Sequence, residues 1–152
     1  MTRVTASNES APPSLLYLVK QLELSNRAQL DSLLKPSGVT ALQYTALTVL
    51  ERRPAMSSAD LARASFVRAQ SASDLIGALE RRGLIERTVD PANRRRLLIS
   101  LTDRGREFLA QYNPLVVELE ERMLAGFDES DRRVFREYLV ASRRALTDAK
   151  SA

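Results

Sequence analysis

The 152-residue chain contains no cysteine and no histidine. The first absence excludes disulfides, thiol redox sensing and thiolate metal sites. The second excludes Ser-His and Cys-His catalysis and imidazole ligation, and it leaves little with which to hold a transition metal. Tryptophan is also absent, and Phe, Trp and Tyr together make up 5% of the residues. No apolar run approaches the ~20 residues needed to cross a membrane. The start of the chain is polar and reaches Pro12-Pro13 without the charged start and apolar run of a signal peptide. The chain therefore reads as cytoplasmic, with no membrane partner. No catalytic set, metal cluster or cofactor motif emerges, so the expectation is a protein that is not an enzyme, with neither cofactor nor metal.

What is present favours helix. Only 5 Gly and 6 Pro accompany abundant Ala, Leu, Glu and Arg, and 44% of residues are hydrophobic, enough to bury a core. The net charge of +4 is modest but uneven: residues 81–106 hold eight arginines against three acids. A basic patch in an otherwise near-neutral chain suggests a polyanionic partner. Arginine outnumbers lysine 20 to 3. Its planar fork reads phosphates and base edges bidentately, although genomic base composition can produce the same bias.

Periodicity and punctuation divide the chain. Residues 1–12 are expected to be flexible. Apolar residues Leu15, Leu18, Val19, Leu22, Leu30, Leu33 and Leu34 recur at threes and fours from Ser14 to about Lys35, where Pro36-Ser37-Gly38 ends the helix. Thr40 and Gln43 have capping-box spacing for a second helix, which Pro54 stops. Ser57 or Ser58 caps a short third helix, Ala59–Ala64. A fourth runs from about Arg68 to Arg82, with Ala72, Leu75, Ile76 and Leu79 inward and Gly83 as its stop. Leu84–Thr88 and Leu97–Leu101 are short apolar strands on either side of Asp90-Pro91, a good type I turn start, and of a run of arginines. Thr102 caps a long helix in which Pro114 should produce a kink or a break. Asp128 and Asp131 begin a last one.

Helix, hairpin and cationic tip in this order describe a winged helix-turn-helix. The expected fold is mainly α with a small β-hairpin wing, and with N- and C-terminal dimerisation helices. Residues 37–103 form the DNA-binding domain. Residues 13–36 and 104–148 carry apolar stripes too wide for so small a core to cover, and an uncovered stripe calls for a partner, most simply a second copy.

Two segments carry a family resemblance. Leu79-Glu80-Arg81-Arg82-Gly83-Leu84-Ile85-Glu86-Arg87 is followed by Arg94-Arg95-Arg96-Leu97-Leu98-Ile99-Ser100-Leu101-Thr102-Asp103-Arg104-Gly105. Together they closely resemble the MarR family of bacterial transcription regulators, over roughly Ser14–Leu146. The resemblance implies a dimeric repressor of pseudo-palindromic operators, released from double-stranded DNA by a small, often aromatic, anionic effector. It aligns Arg95 with the arginine that enters the minor groove. Asn93 stands where many members have an aspartate that steadies this arginine, so an ion pair gives way to a neutral hydrogen bond at best. Gln70-Ser71-Ala72-Ser73 aligns with the start of the recognition helix.

The residues support the same sites without the family. A helix in the major groove reads base edges with its first turns, and Arg68, Gln70, Ser71, Ser73 and Asp74 are left outward there. Asp74 is uncomfortable near phosphates but can accept from cytosine N4. Arg94, Arg95 and Arg96 exceed what is needed to keep a hairpin edge from pairing. Thr40, Ser57 and Ser58 place helix N-termini where phosphate can bind, or act as caps alone. Arg81 and Arg82 suit a helix C-terminus as well as they suit DNA. Tyr17, Tyr44, Phe66 and Tyr112 are effector-pocket candidates, or simply core and interface packing. A competing class is a winged-helix module whose hairpin docks an acidic protein surface; a steep salt dependence of duplex binding separates the two.

Overall fold

The computed structural model describes residues 11–65 and 67–148. The expected flexible terminus thus lies almost wholly outside the described residues, as does Phe66. Six helices and one hairpin follow in the order α1 (Leu15–Leu34), α2 (Ala41–Arg52), α3 (Ser58–Ala64), α4 (Ala69–Arg81), β1 (Ile85–Asp90), β2 (Asn93–Leu101), α5 (Asp103–Met123) and α6 (Glu129–Asp148), with a 3₁₀ turn over Lys35–Ser37. This is the expected winged helix-turn-helix arrangement. None of the described helices is long and apolar enough to cross a membrane.

Local capping chemistry sets most of the boundaries. Ser14 accepts the Tyr17 amide at the head of α1. Thr40 and Gln43 form a reciprocal capping box on α2. Ser57, rather than Ser58, caps α3 by accepting the Asp60 amide. Asp128 and Asp131 accept each other's amides before α6, at 3.1 and 2.8 Å. The end of α4 has a φ of +71° at Gly83, which favours glycine, and the Gly83 and Leu84 amides donate back to the Glu80 and Leu79 carbonyls. That is the two-bond Schellman closure of a helix.

Pro114 does not break α5, which runs unbroken from Asp103 to Met123. Proline removes one hydrogen bond from the ladder, and the rest of this 21-residue helix is enough to carry the chain through.

The chain forms two compact units that divide within α5, one ending at Leu109 and the other beginning at Ala110. In the first, Leu47 and Leu50 of α2, Leu61 of α3, Ile76 and Leu79 of α4, and Ile85 and Ile99 of the hairpin are buried together with Met56. Met56 and Ile99 exchange two backbone hydrogen bonds, 3.1 and 2.7 Å, which fasten the hairpin to the segment before α3. The apolar side of α1 contributes little to this core. Leu34 is buried, but Leu15 is 80% exposed, and Leu18, Val19 and Leu22 are exposed as well.

In the second unit Arg132 donates through Nη1 to both carboxylate oxygens of Glu121, at 2.8 Å each, tying α6 to α5. Phe127 and Phe135 meet edge to face at 5.7 Å. None of the described residues of α6 is buried; Tyr138, Leu139, Val140 and Leu146 are all exposed.

Candidate nucleic-acid interface

The start of α4 presents a polar surface. Arg68 occupies the cap position without a side-chain cap bond, and Gln70, Ser71, Ser73 and Asp74 are exposed. Ala72, Ile76 and Leu79 are buried on the opposite side, and Leu75 is half-buried. One helix thus anchors a row of donors and acceptors through its apolar face. Among the described residues, none of these five polar side chains has a hydrogen-bond or ion-pair partner, so their capacity is available to a ligand.

The hairpin departs from expectation in register. Ile85 to Val89 pair with Leu101 to Leu97, close to the expected strands, and Asp90 then pairs with Asn93. Arg94, Arg95 and Arg96 have no residue opposite them on β1. They are therefore not a loop at the hairpin tip but an irregular stretch of β2. The tip itself is Pro91-Ala92, with Asp90 Oδ1 accepting the Ala92 amide at 2.9 Å. A bulged segment bends its strand and re-aims its side chains.

Each arginine of the bulge meets different surroundings. The Arg95 amide donates to Asn93 Oδ1 at 3.2 Å. Asn93 thus braces the backbone at Arg95. This bond is to the main chain, and among the described residues Asn93 makes none to the Arg95 guanidinium. Among the described residues, the guanidinium groups of Arg94 and Arg95 have no partner. Arg96 does: its Nη2 lies 3.3 Å from Asp60 Oδ2. Asp60 also pairs with Arg63. The Ser57 hydroxyl, ahead of the guanidinium groups of Arg63 and Arg96, holds the Asp60 carboxyl below the usual carboxylate range.

Asp60 is a residue that the sequence did not single out. Ser57-x-x-Asp60 has capping spacing, which hints at a local role, but nothing local points to Arg96. Arg82 is a second case. Its guanidinium donates to the carbonyls of Ser37 and Gly38, and so closes the turn before α2. Arg82 thus has a structural partner; Arg87 likewise pairs with Glu80 at 3.1 Å.

The remaining candidates are dispersed. Thr40 is exposed and Ser57 half-buried at their caps, each hydroxyl accepting an amide and keeping its own proton to donate. Ser58 is exposed on the first turn of α3. Tyr17 is exposed on α1, while Tyr44 is buried in α2. Burial, and after it the charge of Glu51, pushes the Tyr44 hydroxyl up to about 12. Tyr112 is buried on α5.

Known proteins match this chain in both sequence and fold. A family model described as the MarR family matches residues 37–96, from the 3₁₀ turn to the last arginine of the bulge. The HTH-type transcriptional repressor Rv2887 of Mycobacterium tuberculosis is 29% identical over 123 residues, which are 81% of this chain and 88% of that protein. The crystal structure of MarR superposes with a TM-score of 0.81 at 25% identity, covering 95% of this chain and 99% of its own. The MepR protein of S. aureus, solved in complex with DNA, has the same fold, with a TM-score of 0.77 at 23% identity over 88% of this chain and 96% of its own. In its helix order, hairpin and arginine-rich strand the chain has the winged-helix fold, and residues 37–96 match the MarR family of transcriptional regulators.

Proposed function

We propose that this regulator is a dimeric repressor that reads a pseudo-palindromic operator, each subunit placing the start of α4 in the major groove and the arginine bulge on the adjoining minor groove. The observation that carries the reading is the pairing of two exposed, unpartnered surfaces: Gln70, Ser71, Ser73 and Asp74 on α4, and Arg94 and Arg95 on the hairpin. The first supplies base-edge donors and acceptors. The second supplies charge suited to the concentrated negative potential of a narrow A·T-rich groove. Thr40, Ser57 and Ser58 are assigned to backbone phosphates, a role supported by hydroxyls that keep a proton to donate. Residues 37–103 form the DNA-binding part. Residues 13–36 and 104–148 hold the dimer together, a role supported by the apolar faces that α1 and α6 leave exposed.

Release is assigned to a small aromatic or amphipathic anion bound near Tyr17, Tyr44, Tyr112 and Phe66. The family resemblance and the aromatics on three helices support this part. Such a ligand must bind the DNA-free arrangement better, because equal affinity for both states shifts nothing.

Binding of the purified protein to the DNA flanking its own gene, measured across salt concentrations, tests the reading. Operator binding should weaken steeply with salt, with log K falling by about 0.9 per phosphate neutralised. Flat salt dependence with tight capture of an acidic protein would instead favour an interaction module. Calorimetry with salicylate-like acids tests the effector; neither binding nor a change in operator affinity would remove that ligand class.

A further inference from the structure

The arginine bulge raises a positioning question. Residues 94–96 have no partners on β1, so strand pairing does not fix where their side chains point. The exchange between Met56 and Ile99 secures the base of the hairpin. A ribbon held at one place can still swing. Arg96 lies three residues beyond Ile99, about 10 Å along an extended strand, and its guanidinium meets Asp60. Both anchors come from one short segment, residues 56–60.

We propose that Asp60 is a positioning residue for DNA recognition: it latches Arg96 to α3, fixes the arginine bulge, and leaves Arg94 and Arg95 as the cations that reach DNA. The inference rests on the DNA-binding reading above and refines its account of the bulge.

The carboxylate is built for this role. The Asp60 amide is held by Ser57 Oγ at 3.2 Å. Its Oδ1 is taken by Arg63, which turns Oδ2 towards Arg96. Arg96 is thus the one arginine of the three whose guanidinium has a partner among the described residues.

Substitution of Asp60 separates this role from simple electrostatics by sign. Removing a negative charge beside a polyanion should tighten binding if charge alone matters. Removing a latch should loosen it. The measurement is the affinity of wild type, Asp60→Asn, Arg96→Ala, their double variant and Arg94→Ala for a duplex recovered by binding-site selection with the wild type, at two salt concentrations. Asp60→Asn and Arg96→Ala should each weaken binding by about twofold to fivefold, the range an exposed ion pair supports. The double variant should be no worse than the weaker single one, since both break one contact. Arg96→Ala should keep the wild-type salt slope, whereas Arg94→Ala should lower it by about one phosphate. Thermal melts should stay near wild type, because both side chains of the pair are partly exposed.

Asp60→Asn binding as tightly as wild type or tighter, additive losses in the double variant, or a shallower salt slope for Arg96→Ala would each overturn the latch while leaving the DNA-binding reading intact. Failure of the wild type to select any duplex would remove that reading, and the latch with it.

Discussion

Arg95 carries the sharpest consequence at the scale of single residues. Its backbone is braced by Asn93 and its guanidinium is free among the described residues. Arg95→Ala should therefore weaken operator binding by at least about tenfold, 1.4 kcal/mol, and reduce the preference for A·T-rich flanks. The melting temperature should not move, because an exposed side chain without core contacts contributes little to folding. Affinity measured on operators with A·T-rich and G·C-rich flanks checks both halves. Equal binding by variant and wild type would refute the assignment of this arginine to the groove. Tyr44 makes a different prediction. Its hydroxyl titrates at about 12 in the folded chain, against about 10 when unfolded. The neutral phenol is the form that suits the core, so its contribution is complete below pH 10 and is lost as pH rises from 10 to 12. Denaturation curves of wild type and Tyr44→Phe should diverge over that window, with the wild type losing more.

At the scale of elements, the junction between α4, the hairpin and α5 is closely packed. Thr102 donates its hydroxyl to the Gly83 carbonyl and accepts the Gly105 amide, so one side chain ties the end of α4 to the start of α5. A Cβ on Gly105 would lie 2.2 Å from the Leu84 carbonyl oxygen, a collision with rigid backbone. Gly105→Ala should cost about 1–3 kcal/mol through overpacking. It should also lower operator affinity, because the strain falls where β1 begins. Urea denaturation and operator titration of the same variant test this. An unchanged midpoint would show that the backbone relaxes freely there. The bulge teaches a related lesson: the regular pairing of Val89 with Leu97 ends just before the arginines, so the hairpin displays them on strand without a ladder to hold them.

For the molecule as a whole, the exposed apolar faces argue for a dimer. Leu15 on α1 and Leu146 on α6 are 80% and 70% exposed, alongside Tyr138 and Leu139. A groove of about 510 Å³ between α5 and α6, lined in part by Met123, Leu124, Phe135, Leu139 and Val140, adds to the apolar surface of the second unit. Replacing Leu139 and Leu146 with glutamate should weaken dimerisation and, with it, operator binding, because two half-sites then no longer bind as one. Sedimentation and operator titration on the same samples decide it. A folded monomer that bound a palindrome at full affinity would overturn the dimer assignment.

Helices, caps and stops were legible in the sequence because they depend on neighbours three or four residues apart. Thr40 with Gln43, Asp128 with Asp131, and Gly83 after α4 are all interactions of this local kind. The outward set on α4 follows from the same 3.6-residue period that buries Ala72, Ile76 and Leu79. Three features were decided only by the tertiary structure. Strand register left Arg94–Arg96 without partners on β1, and register depends on how two strands meet, not on either alone. Arg82 found the Ser37 and Gly38 carbonyls across more than forty residues, and Arg96 found Asp60 across 36. A charged side chain on a surface has many sequence-compatible partners. Only the packing of α3 beside the hairpin, and of α4 beside the turn before α2, brings the one it uses within reach.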